Sequence, residues 1–257
     1  MSVLLTKYYR LTLLPLIALC MFSCTKQTAV QESDLSLSLV CEQDFLFSKA
    51  AEGSIAVDCL HYFVFADGES TPLFGQTRFN PSGTNNLKLR LFKDKAYVLA
   101  FWAHNNASGY TISESGTVSF PENPACNDSN LDAFYAKVPI TGGQGSLSVS
   151  LKRAVAKVSV SLSTALPSAA SSSLSFDSAY RSFSLLDGKV SGLQPLTFDS
   201  ASCPGTQNVA YAYLFAPQDH AHSCTMTLNV FGSSALSTTL NNIPVQRNIQ
   251  TNITYNN

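Results

Sequence analysis

Apolar and polar residues alternate along a run near the middle of the chain, Ser146–Leu162 (SLSVSLKRAVAKVSVSL). A period of two residues is typical of a half-buried β-strand. The apolar residues hold odd positions before Lys152-Arg153 and even positions after this pair. Because a slip of one residue turns each side chain to the opposite face, the pattern predicts two strands joined end to end. We expect Lys152 and Arg153 to be solvated residues at the bend between them.

Shorter runs of the same kind occur along most of the chain. The dipeptides Asp67-Gly68 and Asp187-Gly188 predict hairpin turns, and the short gap Lys93–Lys95 predicts an antiparallel hairpin between the strands on either side. Val98–Ala103 is nearly all apolar, which predicts a central strand covered on both faces. The predicted strands are Leu35–Cys41, Ala56–Ala66, Leu87–Phe92, Ala96–His104, Thr117–Phe120, Ala133–Ile140, Arg181–Leu186, Lys189–Gly192, Val209–Ala216, Thr225–Phe231, Ala235–Leu240 and Ile243–Tyr255.

No amphipathic helix of convincing length interrupts these strands, so the pattern favours an all-β fold. The simplest arrangement is two antiparallel β-sandwich domains. Their boundary is expected at the phase change, with Leu147–Leu151 in the first core and Val158–Leu162 in the second.

The first residues have the layout of a bacterial export signal. Lys7 and Arg10 precede an apolar run, Leu11–Phe22, which is too short to span a bilayer comfortably and ends in Ser23-Cys24. We expect residues 1–23 to be a lipoprotein signal peptide, Cys24 to carry the lipid, and residues 24–34 to be a tether. An ordinary signal peptide with an incidental cysteine is the alternative.

Composition and motifs exclude several function classes. A net charge of −1 with 13% charged residues gives no basis for nucleic-acid binding. The sequence has no nucleophile elbow, no paired carboxylates and no phosphate-binding glycine loop, so we predict neither enzymatic activity nor a cofactor. The pairing of the cysteines beyond Cys24 stays open; these are Cys41, Cys59, Cys126, Cys203 and Cys224.

Histidine, cysteine and aromatic residues are the candidate binding groups of the chain. His220, His222 and Cys224 alternate and would share one strand face, a pattern that suits a soft metal. Their position after Pro217 favours a solvated loop, so no metal site is predicted, and His61 and His104 are expected to be packed or edge residues. Trp102 is expected in the core. Sugar-stacking platforms are expected at loop aromatics instead, such as Tyr110 or Phe120.

Six segments in this order resemble the fimbrillin-like surface lipoproteins of the Bacteroidales type, and in particular a domain of unknown function within that group. The resemblance covers roughly Leu35 to Thr254. The segments are Tyr97–Ala103, Asp132–Tyr135, Leu151–Lys157, Phe183–Gly192, Tyr211–Pro217 and Ile243–Ile253.

The resemblance implies two transthyretin-like β-sandwich domains in tandem, residues 35–151 and 152–257. It also implies a lipid-anchored protein of the outer membrane, displayed on the cell surface, with a structural or adhesive role as a fimbrial anchor, a tip or a stand-alone adhesin. The implied partners are fimbrial subunits, joined by strand addition, or host or bacterial surface ligands. A glycan-binding accessory lipoprotein of a polysaccharide uptake system is the alternative function.

Two features depart from the members of this group that polymerise. Their maturation cut follows an arginine near the end of the first strand, whereas this chain has no arginine between Arg10 and Arg78, and Lys49 is the only nearby basic substitute. The last similar segment is followed almost at once by Tyr255-Asn-Asn257, which leaves no long tail to donate. We therefore expect an uncleaved surface lipoprotein, an anchor or a terminal subunit.

The short O-glycosylation sequon of this bacterial group occurs at Asp177-Ser178-Ala179 and Asp199-Ser200-Ala201. This match predicts O-glycans on Ser178 and Ser200. Mass spectrometry of the intact mature protein should then give a mass above that of the polypeptide plus its acyl chains. A mass that needs no glycan would contradict the prediction.

Overall fold

The computed structural model describes residues 31–41, 57–79, 86–166, 170–232 and 235–257. The predicted signal peptide, Cys24 and Lys49 lie outside these residues. In the described part of the chain the fold is all-β, as predicted, and its helical segments are two short 3-10 turns, Asn106–Ser108 and Ser129–Leu131. No helix in this part is long and apolar enough to cross a membrane.

Most strands coincide with predicted runs, but Ser171–Ser184 and Val190–Ser202 are much longer than the predicted Arg181–Leu186 and Lys189–Gly192. Within the described ranges the strands are β1 Glu32–Cys41, β2 Cys59–Ala66, β3 Pro72–Phe79, β4 Asn86–Phe92, β5 Ala96–His104, β6 Thr111–Ile112, β7 Thr117–Ser119, β8 Ala133–Thr141, β9 Ser146–Arg153, β10 Val155–Leu162, β11 Ser171–Ser184, β12 Val190–Ser202, β13 Asn208–Phe215, β14 His222–Phe231, β15 Leu236–Val245 and β16 Gln250–Tyr255.

The first sheet has the strand order β3-β2-β5-β8-β9-β1-β4. β8 and β9 pair only through Phe134↔Arg153 and Tyr135↔Lys152, and apolar side chains from the two halves of the sheet form one buried cluster. The sheet therefore folds over into two layers around a first core. The main members of this core are Leu35, Leu37, Leu39, Leu60, Tyr62, Val64, Leu87, Leu89, Leu91, Leu99, Phe101, Phe134, Val149 and Leu151.

The second sheet has the path β15-β14-β11-β13-β10-β16, with β12 paired to β11 and the short strands β6 and β7 joined through β7 to β11. Its core extends beyond its own strands, because the outward faces of β2 and β5 contribute Phe63, Phe65 and Trp102. The Trp102 ring lies 5.1 Å from that of Phe183 and 5.9 Å from that of Phe215, between ring centroids. β5 is thus covered on both faces, as the sequence predicts.

The run Ser146–Leu162 forms two strands, β9 and β10, separated at Ala154, and this confirms the predicted break. β9 belongs to the first sheet and β10 to the second. Leu151 lies in the first core and Val158 in the second, also as predicted. Residues Glu32–Asn257 form one compact unit, and the division into domains 35–151 and 152–257 stays a prediction.

The expectation that Arg153 is solvated is wrong, although Lys152 is exposed as predicted. Arg153 is 1% exposed, and its Nε donates to Asp132 Oδ2 at 2.7 Å. Because Arg153 is the last residue of β9, alternation turns it to the face opposite Lys152, towards Asp132 and the Phe134 ring. A buried carboxylate at the start of β8 therefore neutralises this cation.

The predicted hairpin across Lys93–Lys95 is also wrong. β4 pairs with β1, whereas β5 pairs with β2 and β8. The short connection therefore crosses from one layer of the sandwich to the other instead of closing a ladder. The turns at Asp67-Gly68 and Asp187-Gly188 do close hairpins, β2–β3 and β11–β12, and both glycines have positive φ.

The prediction that the sheets are purely antiparallel is wrong. β1 runs parallel to β9, and β10 runs parallel to β16. Alternation sets which face of a strand is buried but not the direction of its neighbour, so the sequence pattern could not distinguish the two arrangements. No alternating run predicts β3. It is a largely exposed edge strand, so neither of its faces needs to be apolar.

Arg153→Met should destabilise the fold by about 3–5 kcal/mol, since it leaves the Asp132 carboxylate buried without its cation. The matched control, Lys152→Met, alters an exposed neighbour and should change the free energy of unfolding by less than about 0.5 kcal/mol. Urea unfolding curves measure both values. Equal stabilities for the two variants would contradict this role for the ion pair.

Candidate functional site

β1 lies between β4 and β9 and is hydrogen-bonded on both sides. It pairs antiparallel with β4, with Leu37 opposite Leu87, and parallel with β9, with Leu39 opposite Val149. Its leucines alternate with serines, so Leu35, Leu37 and Leu39 enter the first core at 2%, 1% and 5% exposure, while Ser36 and Ser38 face outward. β1 is thus an interior strand of the sandwich, although it begins the described part of the chain.

The positions around β1 form a groove suited to one extended strand. β4 and β9 supply backbone donors and acceptors on either side, and its floor is apolar. The groove residues Leu87, Leu89 and Leu91 on β4 and Val149 and Leu151 on β9 are all buried. Backbone hydrogen bonds with alternating apolar pockets are the two elements of strand addition. β1, with leucine at every second position, fills this groove.

A group of potential metal-ligating side chains lies where β2 begins and β5 ends. Cys59 pairs directly with His104, and His61 lies two residues from Cys59 on the same face of the sheet. The Cys59 Sγ is 3.2 Å from His61 Nε2, which is 3.2 Å from His104 Nε2. The sequence predicts packed or edge positions for His61 and His104, but it gave no sign that they meet each other and a thiol.

Burial sets the protonation of this group. It lowers the pKa of His61 to about 4, with the nearby His104 adding to the effect, and it lowers the pKa of His104. It raises the pKa of the Cys59 thiol to about 11, with Asp58 contributing in the same direction. Both imidazoles are therefore neutral and the thiol is protonated at neutral pH.

The other histidine and cysteine pattern, at His220, His222 and Cys224, does not converge on one point. His220 is exposed beside Asp219, His222 contacts Ser178, and the buried Cys224 donates to the Ile243 carbonyl. Residues that alternate along a strand share a face but stay far enough apart to need a neighbouring strand to complete a site.

The two predicted glycosylation serines occupy different environments. Ser200 is exposed on β12, whereas Ser178 is half-buried beside an irregularity of β11, where its hydroxyl donates to Asp177 Oδ1 at 3.0 Å. The structure thus leaves Ser200 the more accessible of the two, and modification of either residue stays a prediction.

The aromatic platform expected at Tyr110 and Phe120 is absent from these residues. Tyr110 is 8% and Phe120 is 4% exposed, because both pack around Phe215 in the second core. Tyr110 also donates to the Leu131 carbonyl at 2.6 Å. Trp102 is fully buried, as the sequence predicts. None of these three rings offers a face to a sugar.

An open cavity of about 620 Å³ lies beside Arg247 and includes Lys137, Lys152, Asp187 and Gln218 in its walls. Arg247 is itself buried and lies over the Phe183 ring, with 4.6 Å from its Cζ to the ring centroid. Its side chain donates to the carbonyls of Gly188 and Ala216, and burial lowers its pKa to about 10. The walls of this cavity are mixed, since cationic side chains such as Lys137 and Lys152 stand beside apolar ones such as Val138 and Ile249.

Solved structures from Bacteroides and Parabacteroides species share this fold. A "putative adhesin" from Bacteroides ovatus has a TM-score of 0.55 at 12% identity, covering 84% of this chain and 79% of its own. A "putative polysaccharide binding" protein from Bacteroides thetaiotaomicron has a TM-score of 0.54 at 12% identity, covering 82% and 80%. A fimbrial assembly protein from Parabacteroides distasonis has a TM-score of 0.51 at 15% identity, covering 87% and 91%.

At these identities the likeness establishes a common fold. No curated protein is significantly similar to the chain in sequence. A family model does match, over residues 27–256, which is nearly the whole chain and includes all the strands described above. The chain therefore belongs to DUF6562, a family of unknown function.

Proposed function

We propose that this protein is a surface lipoprotein with a structural or adhesive role, acting as an anchor or terminal subunit of a fimbria. It is held on the outer membrane through a lipid on Cys24, and it is not an enzyme. The observation that carries the proposal is the position of β1, which fills the groove between β4 and β9 from within the same chain.

A groove that stays filled, because the chain lacks the arginine needed to release β1, favours a terminal role over a polymerising one. A subunit that accepts a neighbour's strand must first lose its own, and the resemblance to fimbrillin-like lipoproteins implies that polymerising members do so by cleavage after an arginine. Leu35, Leu37 and Leu39 are buried in the core, and no arginine lies between Arg10 and Arg78 to permit that cut. With β1 retained, the groove stays closed to a donor strand.

The fold comparisons support the same class of function. The names of the similar structures include an adhesin and a fimbrial assembly protein. Their fold is carried here by a chain whose described residues are rich in strands and poor in charged groups. A two-layer sandwich with its polar serines outward suits a protein displayed on a surface.

Deletion of the gene should reduce the number of fimbriae attached to the cell, or their anchorage, and lower adhesion. Electron microscopy of cells and of the culture medium measures both attached and shed fimbriae. Complementation with the wild-type chain should restore them, and with Cys24→Ser should not, because the lipid anchor is lost. Unchanged fimbriae and adhesion after deletion would overturn the proposal.

The wild-type protein should migrate as a single band in SDS without boiling, and its N-terminus should still precede β1. Lys49→Arg supplies a basic cleavage site of the type used by relatives and should be the variant that is trimmed. The matched control, Lys88→Arg on β4, should remain intact because it lies within a paired strand. Ladders of wild-type protein with a trimmed N-terminus would contradict the anchor or terminal role.

The alternative is a glycan-binding accessory lipoprotein of a polysaccharide uptake system. One observation favours it, namely the open cavity of about 620 Å³ beside Arg247, whose wall combines apolar and hydrogen-bonding side chains, and the name of one similar structure refers to polysaccharide binding. In the deletion strain, lost growth on a polysaccharide with unchanged fimbriae would favour this alternative.

A further inference from the structure

Three side chains at the end of β2 and β5 present ligand atoms to a common point. The Sγ of Cys59 and one nitrogen from each of His61 and His104 lie within 4.8 Å of one another. Strand pairing fixes this arrangement, since Cys59 is opposite His104 and His61 follows two residues later on the same face. No loop rearrangement is needed to bring the three together.

The hydrogen bonds around His104 leave its inward nitrogen free to accept. Its Nδ1 lies 2.8 Å from the Asn105 carbonyl oxygen and 2.7 Å from the Ser108 hydroxyl. Because the carbonyl can only accept, the contact with it places the ring hydrogen on Nδ1, and the hydroxyl then acts as a second acceptor. The Nε2 lone pair then points towards His61 Nε2. A histidine whose other nitrogen donates to a backbone carbonyl is the usual arrangement of a metal ligand.

His61 can adopt the same state. Its Nδ1 lies 2.8 Å from the hydroxyl of Thr77, its partner across the β2–β3 pair. A hydroxyl both donates and accepts, so Thr77 can accept the hydrogen when it moves to Nδ1. Without a metal ion, His61 carries its hydrogen on Nε2 and donates it to His104 Nε2. When the hydrogen moves to Nδ1 of His61, the Nε2 lone pairs of both histidines face the same point.

The spacing of the two imidazole nitrogens matches that around a tetrahedral ion. Metal–nitrogen bonds of about 2.0–2.1 Å at tetrahedral angles separate two nitrogens by roughly 3.3 Å, and the two Nε2 atoms are 3.2 Å apart. The same geometry places the centroids of two imidazoles roughly 5 Å apart when both lone pairs point at the ion. The ring centroids of His61 and His104 are 5.3 Å apart, with 15° between their planes.

We propose that Cys59, His61 and His104 bind one divalent cation that has the ligand preferences of Zn²⁺. One sulfur and two imidazole nitrogens are the ligand types that zinc prefers, and a site with three protein ligands leaves the fourth position for water or an external ligand. His61 and Thr77 border an open cavity of about 780 Å³ next to β3, so the ion reaches the site from that side. The proposal departs from the expectation that the chain has no metal site.

Binding exchanges the thiol hydrogen for the metal. The S–H bond of Cys59 breaks, a metal–sulfur bond forms, and the proton passes to the solvent, while both histidines bind as neutral ligands. The carboxylate of Asp58 is next in the chain and accepts a hydrogen bond from the Asn106 backbone at 2.6 Å. Its negative charge lies close enough to stabilise the cation without being one of the three ligands.

The test is titration of Zn²⁺ and of Co²⁺ into the full chain, purified without a histidine tag and kept reduced. We expect one ion per chain and, with Co²⁺, the visible absorption of a four-coordinate ion together with thiolate charge transfer. Cys59→Ser and His61→Gln should each weaken binding by more than about tenfold, and Thr77→Val by roughly tenfold.

Matched controls come from the other strand that carries alternating histidine and cysteine. Cys224→Ser and His222→Gln should bind as tightly as the wild type. No stoichiometric binding, or equal loss in these controls, would overturn the proposal. Because Cys59 is buried and its variant could fail to fold, X-ray absorption of the zinc-loaded wild type gives an independent readout. One sulfur and two imidazole nitrogens are expected, and a coordination shell without sulfur would overturn the site.

Discussion

The ion pair between Arg153 and Asp132 is the constraint on which the strand arrangement depends. Its oxygen and nitrogen lie 2.7 Å apart where β8 begins and β9 ends, and the Ala154 amide donates to the Ala133 carbonyl directly beside it. A buried cation is costly unless it is paired, so the last residue of β9 is held at one place. Directly after it the chain enters β10 of the second sheet. The salt bridge thus lies at the point where a continuous alternating run changes from one core to the other.

The first strand obeys a different constraint, since its ion pairs, from Arg90 to Glu32 and Asp34, are exposed and not buried. β1 is held by two backbone hydrogen-bond ladders and three buried leucines. It runs antiparallel to β4 and parallel to β9. A strand in this position contributes its apolar face to a core built by residues far along the sequence. Its removal would expose both ladders at once. Closure of the sandwich therefore requires a strand here, whether from the same chain or from another.

Alternation along the sequence was enough to predict most strands and the change of core between Leu151 and Val158, because burial on one face imposes a period of two. It could not predict features that depend on pairing between distant strands. The burial of Arg153 requires Asp132 from another strand, and the burial of Tyr110 follows from its packing on Phe215. Likewise the short gap after β4 gave no means of distinguishing a hairpin from a crossing between layers.

The group at Cys59 belongs to the same class of features, and its chemistry explains why the fold does not depend on an ion. Cys59 and His61 form an alternating pair much like His222 and Cys224, and the difference is a third side chain supplied across the ladder by His104. Without a metal, the ring nitrogens bond each other, Thr77 and backbone oxygen, so no buried polar group need be left unpaired. These same contacts hold the ligand atoms near tetrahedral spacing. An ion would then replace one N–H···N hydrogen bond and one thiol hydrogen, with little rearrangement of the strands.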